Sequence, residues 1–215
     1  FSSTASVYGE PDAVPIPETA ALRPTNPYGE SKLAMERMMH WVGAAHGIRS
    51  VILRYFNVAG AWAQGEIGED HRPESHLIPI ILQVPLGKRP HITIFGDDYP
   101  TPDGTCIRDY LDVVELADAH MRAVDYLRAG GASEVCNLGN GTGFSVRQMV
   151  EAAQRVTGRE IAVSMGARRP GDPARLVASA QRAKQVLGWT ARADIDSIIA
   201  SAWTWHSRHP NGFEE

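Results

Sequence analysis

A strand, a helix and a second strand follow one another over the first 57 residues, and this order constrains the fold most. Residues 1–9 begin apolar and run into hydroxyl side chains, and residues 51–57 form a β-rich run that ends in a polar residue. Between them, apolar residues recur at helical spacing from Pro27 to Gly47, which suits a helix end. Strand, helix and strand in this order predict a right-handed βαβ unit with parallel strands. Ligands of such sheets bind beyond the carboxyl ends of the strands.

The start of the predicted helix carries Tyr28 and Lys32, four residues apart. That spacing puts both side chains on one helix face, one turn apart. A nearby ammonium group favours a phenolate, so we expect Lys32 to lower the pKa of Tyr28 toward the range in which it takes a proton from an alcohol. A surface lysine beside a half-buried tyrosine is the alternative, since two fixed positions recur easily by chance. Thr4 and Asn57, at the two strand ends, are candidates for the same crevice.

Composition argues against several function classes. The 215 residues are 43% hydrophobic and 21% charged with a formal net charge of -4, and the lysines and arginines are scattered. This pattern predicts neither a nucleic-acid surface nor a membrane-binding face, and no apolar run approaches membrane-spanning length. Cys106 and Cys136 lack metal-type spacing, so we expect reduced, buried thiols. The acids and the histidine of residues 66–71 lack ligand spacing as well, so no metal site is predicted.

Further elements are predicted downstream. A buried helix is expected at residues 76–82, and other helices begin at Asp112 and at the Ser145–Gln148 capping box, the latter ending near Gly158. The last helix carries an apolar stripe from Ile195 to Trp203. Short strands are expected at residues 92–96, 135–138 and 161–165. Residues 139–143 have the wrong glycine spacing for a dinucleotide-binding motif and are predicted to be a tight turn.

Long stretches of the chain are similar to one group of enzymes. They are FSSTASVYGE, NPYGESKLAMERM, LRYFNVAGA, IFGDDYPTPDGTCIRDYLDVVELADAH, NLGNGTG, ARRPGD and WHSRHPNG. On these segments the sequence resembles the extended short-chain dehydrogenase/reductase superfamily and, within it, the UDP-glucose 4-epimerases. The glycine-rich cofactor turn of that family lies before the first residue of this sequence. The resemblance therefore implies the C-terminal part of a longer enzyme, and we expect the 215-residue chain alone to be inactive.

The resemblance implies an α/β fold, in which the C-terminal part of an NAD(P)-binding Rossmann-type parallel sheet is joined to a smaller α/β substrate-binding domain. Residues 1–58 would end the NAD-binding Rossmann domain and contain the Tyr28 and Lys32 helix. Residues 59–215 would form the UDP-sugar-binding domain, with segments near residues 109–139 crossing back to the Rossmann sheet. A cytoplasmic homodimer that uses NAD and a UDP-sugar is implied as well.

The implied reaction is reversible inversion at C4 of a UDP-hexose, UDP-galactose or UDP-glucose, through a transient 4-keto sugar and tightly bound NAD. Tyr28 would take the proton of the 4-hydroxyl group, Lys32 would hold the nicotinamide ribose, and Thr4 would relay the proton. Cofactor binding is implied for Thr4, Tyr28, Lys32, Tyr55 and Phe56. Substrate binding is implied for Thr4, Ala5, Ser6, Tyr28, Asn57, His76, Leu77, Thr93, Ile94, Phe95, Arg108, Tyr110, Arg169, Asp172 and Leu176.

Two alternatives remain open. One is a nucleotide-sugar 4,6-dehydratase or decarboxylase of the same superfamily. Eliminating water from C5 and C6 needs an additional acid and base, and the dehydratases carry Thr-Asp-Glu where this chain has Thr4, Ala5 and Ser6. Neither Ala5 nor Ser6 can do that work, which favours the epimerase. The other alternative is a non-catalytic nucleotide-sugar-binding or assembly module, because the cofactor motif is not present in the sequence.

Overall fold

A computed structural model describes residues 1–213 as an α/β protein. The helices are α1 (Pro27–His46), α2 (Leu77–Leu82), α3 (Val113–Arg128), α4 (Val146–Thr157), α5 (Gln181–Leu187) and α6 (Ile195–Arg208). The strands are β1 (Ser2–Thr4), β2 (Val51–Tyr55), β3 (Asn57–Ala59), β4 (Ile92–Phe95), β5 (Ile107–Arg108), β6 (Tyr110–Asp112), β7 (Glu134–Leu138), β8 (Phe144–Ser145), β9 (Val163–Gly166) and β10 (Arg175–Leu176).

The central sheet is parallel, with the strand order β1-β2-β7. Thr4 lies beside Tyr55, and Tyr55 lies beside Leu138, so the three strands end together at one edge. The four residues of β2 from Val51 to Arg54 are buried, as expected where helices cover both faces of a parallel sheet. The predicted unit of two parallel strands joined by a helix is therefore present as β1, α1 and β2.

The sequence predicted one strand over residues 51–57, and this prediction was wrong at its end. β2 stops at Tyr55, and Asn57 begins β3, which pairs with β6 instead of the central sheet. The chain changes sheets at Phe56, whose N–H donates to the Leu138 carbonyl oxygen. A partner switch of this kind is set by distant residues, so the local β-rich pattern continues straight through it.

The predicted helix boundaries follow their capping residues. Asn26 caps α1 by accepting a 2.8 Å hydrogen bond from the Gly29 N–H, and α1 ends at Gly47, whose φ of 70° is the left-handed conformation that glycine adopts without strain. The predicted capping box at Ser145 is present at the start of α4. The strand predicted at residues 161–165 is shifted to Val163–Gly166.

Three hydrophobic cores support these elements. The largest packs α2, α4 and α6 together with β4 and contains Ile81, Ile94 and Met149. A second lies between the central sheet and the helices α3 and α5, and the third packs a short 3-10 turn (Ala5–Tyr8) against Leu33 of α1. Within residues 1–213, no helix combines the length and apolar character that a membrane crossing needs.

Both cysteines are buried and free, as predicted. Burial raises the pKa of the Cys136 thiol to about 12 and also raises the pKa of the Cys106 thiol, so both are held in the unreactive protonated form. Both ring nitrogens of His120 on α3 have hydrogen-bond partners, since Nδ1 lies 2.9 Å from the Leu116 carbonyl oxygen and Nε2 lies 2.9 Å from Ser2 Oγ.

A buried polar network, which no local sequence pattern predicts, connects α1 to all three strands of the central sheet. Arg54 of β2 donates to both carboxylate oxygens of Glu36 on α1, at 3.0 and 2.6 Å, and Glu36 also accepts from Ser3 of β1. Arg54 further donates to the Tyr8 hydroxyl group at 3.0 Å, which in turn donates to Asn137 of β7 at 2.6 Å. The network fixes the position of α1, and with it Tyr28, relative to the strand ends.

Candidate active site

A cavity of about 1050 Å³ opens at the carboxyl ends of β1 and β2. Its wall is built from the 3-10 turn, the start of α1, the junction of β2 and β3, the loop before α2 and the start of α3. This is the position at which parallel α/β sheets bind ligands, and the volume is sufficient for a ligand of more than one ring system. The cavity is therefore the candidate active site.

Tyr28 and Lys32 lie on one face of α1, as the four-residue spacing predicted. Lys32 Nζ lies 5.8 Å from the centroid of the Tyr28 ring and donates a 3.0 Å hydrogen bond to the Ser2 carbonyl oxygen. The Tyr28 side chain lines the cavity and is 52% exposed, which leaves its hydroxyl group accessible to a ligand. An ammonium group carries three N–H donors, so Lys32 retains donors for a second partner.

Thr4 is the last residue of β1 and lines the cavity beside this pair. Its Oγ1 accepts a 3.2 Å hydrogen bond from the Ser6 N–H and lies 3.3 Å from the Ser6 hydroxyl group. Two hydroxyl groups and one phenol thus line the same cavity. Together they can donate to, and accept from, the hydroxyl groups of a polar ligand.

Gly29 allows α1 to begin against the 3-10 turn. A methyl group added at Gly29 would lie 2.5 Å from the Ser6 carbonyl oxygen and 3.0 Å from Pro24 Cβ, which is too close for a real contact. The absence of a side chain at this position therefore holds the start of α1, and with it Tyr28, next to the turn that carries Ser6.

We expect Gly29→Ala to lower the free energy of unfolding by about 1–3 kcal/mol, the usual effect of forcing extra atoms into packed structure. The sign of this change in stability tests the contact, because replacing glycine by alanine inside an unobstructed helix stabilises the helix by roughly 1 kcal/mol. Urea unfolding would measure the change, with the exposed Ser31→Ala on the same helical turn as the control. A more stable Gly29→Ala variant would contradict the described contact.

Arg108 also lines the cavity and is held by three acceptors. It donates to the carbonyl oxygens of Ile107 and Pro173, each at 2.9 Å, and to an Asp172 carboxylate oxygen at 3.3 Å. The pairing of β5 with β10 also sets Leu176 beside Arg108, and both residues line the cavity. A guanidinium group held in this way is oriented to bind an anion through its remaining N–H donors.

The neighbouring Asp109 is fully buried and was not among the predicted site residues. Its carboxylate accepts backbone N–H bonds from Asn140 at 2.6 Å and from Gly141 and Ala178 at 3.0 Å each. Burial raises the pKa of Asp109, and the three donors oppose that shift. Asp109 thus anchors the predicted tight turn at residues 139–143, which lies outside the cavity wall.

The structure brings most of the predicted site residues together. The cavity wall contains Thr4, Ala5, Ser6, Tyr28, Tyr55, Phe56, Asn57, His76, Arg108 and Leu176. Phe95 and Arg169 meet outside this wall, where the guanidinium group stacks 4.1 Å from the centre of the ring, and Asp172 is paired with Arg108. Their ligand contacts stay predictions.

Four other predicted substrate contacts also lie outside the cavity wall. The side chains of Ile94 and Tyr110 belong to the largest hydrophobic core, where burial raises the pKa of Tyr110. Because these two side chains are buried in the core, Ile94 and Tyr110 could contact a ligand only through their backbone groups. Leu77 packs against the same core, and the Thr93 hydroxyl group lies 3.0 Å from Ser164 Oγ. These four contacts stay predictions as well.

Sequence reasoning missed several residues of the cavity wall. They are Val58, Ala59, Gly60, Ala61, Trp62, Ile67, Gly68, Glu69, Asp70, His71, Val113, Val114, Ala117 and Phe213. Most lie in the loop before α2 or at the start of α3. Apolar residues in these segments form no sequence pattern that would indicate a binding site. Val113 and Val114 are more than one third exposed beside the cavity, a property that only the structure reveals.

A protein-family model described as GDP-mannose 4,6 dehydratase matches residues 1–202. The chain belongs to this family. It is 58% identical over 214 residues to a UDP-glucose 4-epimerase of Lacticaseibacillus casei, a match that covers 99% of this chain and 65% of that protein. The family membership agrees with the extended short-chain dehydrogenase/reductase resemblance of the sequence.

Solved structures of this family share the fold. A crystal structure of a UDP-glucose 4-epimerase matches with a TM-score of 0.97 at 56% identity, covering 100% of this chain and 66% of that one. The UDP-glucose 4-epimerase of Bifidobacterium longum, in complex with NAD+ and UDP, matches with a TM-score of 0.93 at 41% identity, covering 99% and 64%. The chain thus spans just under two thirds of the length of the curated relatives it matches.

Proposed function

We propose that the whole protein inverts C4 of a UDP-hexose reversibly, interconverting UDP-galactose and UDP-glucose with tightly bound NAD. One observation carries this proposal: Thr4 and Tyr28 line one cavity that is large enough for a nucleotide-sugar, and Lys32 lies behind this wall, 5.8 Å from the Tyr28 ring. The relatives named UDP-glucose 4-epimerase, and the neighbour solved with NAD+ and UDP, support it.

The residues present suit the nicotinamide end of NAD. Lys32 Nζ donates one hydrogen bond inside the protein and has two further donors for ribose hydroxyl groups. Tyr55 and Phe56 add aromatic surface where β2 ends, at the cavity wall. NAD, when bound, would supply the acceptor for the hydride of C4 and return that hydride to the other face of the sugar.

The proton chemistry belongs to the side chains of this chain. As its phenolate, Tyr28 would take the proton of the sugar 4-hydroxyl group while the 4-keto sugar forms, and the resulting Tyr28 hydroxyl group would give the proton back after the sugar has turned over. Thr4 Oγ1 binds the same sugar oxygen and relays the proton. The ammonium group of Lys32 lies on the same face of α1, 5.8 Å from the centroid of the Tyr28 ring.

A dehydratase is the second candidate, because the family model carries that description. Its chemistry needs an acid and a base near C5 and C6 in addition to Tyr28. Next to Thr4, the cavity wall continues as Ala5 and Ser6, neither of which is an acid or base of that kind. Product analysis separates the two reactions, since the epimerase returns an intact hexose and the dehydratase releases a 4-keto-6-deoxy sugar.

Substitution of Arg108 tests whether this arginine binds the diphosphate. We expect Arg108→Ala to weaken UDP binding by roughly 2–5 kcal/mol, because removing one member of a buried charge pair leaves the other without its partner. The Arg108 side chain is 13% exposed, whereas Arg169 is exposed, so Arg169→Ala should have the smaller effect. Calorimetric titration of UDP would measure both, with the exposed Arg175→Ala as control. Unchanged affinity in both variants would remove the two arginines from the diphosphate site.

We further propose, from the family resemblance, a cytoplasmic homodimer in galactose metabolism whose domains divide near residue 58. The α1 surface supports an interface, since Met38 is 64% exposed and Trp41 is 71% exposed. Apolar patches of this kind on a helix face are typical of contacts between proteins.

A further inference from the structure

Four potential metal ligands converge in the loop before α2. They are Glu69, His71, Glu74 and His76, and their donor atoms all lie within 4.8 Å of one another. His71 Nδ1 lies 2.9 Å from Glu69 Oε1 and 3.8 Å from Glu74 Oε1, and His76 Nδ1 lies 3.7 Å from Glu74 Oε1 and also contacts Glu69 Oε1. Both histidines thus turn the same ring nitrogen toward the same pair of carboxylates.

These separations suit a tetrahedral ion. Zinc bonds to imidazole nitrogen and carboxylate oxygen are about 2.0–2.2 Å long, so neighbouring ligands of a tetrahedral site lie roughly 3.3–3.6 Å apart. Three of the four nitrogen–oxygen distances, 2.9, 3.7 and 3.8 Å, bracket that value, and the fourth, between His76 and Glu69, is shorter. We propose that Glu69, His71, Glu74 and His76 bind a divalent cation of the zinc type in the wall of the cavity.

The charges of the cluster favour a cation over simple ion pairs. The Glu69 and Glu74 side chains are only 18% and 9% exposed, and within residues 1–213 their ion-pair partners are these two histidines. Two carboxylates that are largely shielded from solvent therefore converge on one point, which is costly unless a positive charge lies between them. A bound divalent ion would compensate both charges.

The loop also holds one ligand in place. Glu74 Oε1 accepts hydrogen bonds from the N–H groups of Ser75 and His76, each at 2.7 Å. Such supporting bonds orient metal ligands and raise the affinity of a site. The sequence-based prediction of no metal site considered residues 66–71, and it did not include Glu74 and His76.

Zinc titration of the whole protein tests the site. The protein, without a histidine tag, is stripped with a chelator and titrated calorimetrically with ZnCl₂. We expect one Zn²⁺ per chain. His71→Ala and Glu74→Gln should each lower the zinc affinity by at least about 10–100-fold, because that is the usual loss when even a residue that only hydrogen-bonds to a metal ligand is replaced. Glu74→Gln keeps a carbonyl oxygen for the two loop N–H groups and removes only the charge. His91→Ala, an exposed histidine outside the cluster, should bind as the unaltered protein does.

A second readout reports the geometry directly. Co²⁺ in a four-coordinate site of nitrogen and oxygen ligands absorbs visible light much more strongly than hexa-aqua Co²⁺, and this band should be lost in both cluster variants. The proposal is overturned if the unaltered protein takes up no Zn²⁺, or if His71→Ala and Glu74→Gln bind Zn²⁺ as tightly as His91→Ala. The titration needs neither NAD nor a sugar nucleotide, so its outcome is independent of the proposed reaction.

Discussion

Tyr28→Phe should lower kcat for UDP-galactose by a factor on the order of 10² to 10⁴ in the whole protein, the usual contribution of general acid–base catalysis. The substitution removes one hydroxyl group from the cavity wall and leaves the ring, so the dissociation constant of UDP-galactose should change little. A loss in kcat without a loss in affinity is the result expected for a group that acts on the reacting bond.

Tyr126→Phe is the matched control for this experiment. Tyr126 lies on α3 and packs against the second hydrophobic core, outside the cavity wall, so loss of its hydroxyl group should leave kcat unchanged. Steady-state kinetics and substrate titration on the two variants separate the effect of the site from a general effect on folding. Near-normal turnover by Tyr28→Phe would remove Tyr28 from its proposed role and favour a non-catalytic nucleotide-sugar-binding protein.

Local patterns were sufficient to find the catalytic candidates. The helical spacing of Tyr28 and Lys32 and the strand ends at Thr4 and Asn57 follow from a few neighbouring residues. In the structure Thr4, Tyr28 and Asn57 line one cavity, and Lys32 lies beside Tyr28 on the same helix face. Helix ends were equally accessible, because caps such as Asn26 act on a backbone N–H only three residues away.

Features that depend on distant partners could not be predicted in this way. The metal-type cluster spans eight positions with spacings of two, three and two residues, and only the turn of the loop brings its donors together. Arg54 lies inside a β-rich run and Glu36 inside a helix. Taken alone, each residue would be predicted to be an exposed charge, because its partner is distant in the sequence. A single sequence gives the period of each element but not the partner of a side chain.

The Arg54–Glu36 pair predicts the largest effect on stability. Both side chains are 5% exposed, so Arg54→Met leaves the Glu36 carboxylate buried with only Ser3 as a hydrogen-bond donor. Breaking a buried pair from one side costs about 3–5 kcal/mol, a large share of the 5–15 kcal/mol that stabilises a typical protein. Urea unfolding of the whole protein would measure this loss.

The second substitution in the pair gives the sharper test. Arg54→Met combined with Glu36→Met removes both charges and fills the space with apolar atoms, so the double variant should be more stable than Arg54→Met alone. Arg182→Met is the control, because it breaks an ion pair with Glu134 in which the arginine is 46% exposed, and such pairs contribute about 0–1 kcal/mol. If Arg54→Met costs no more than Arg182→Met, the buried pair does not hold α1 to the sheet. If the double variant is the less stable of the two, the hydrogen bond from Ser3 to Glu36, which only the double variant loses, outweighs the cost of the unpaired charge.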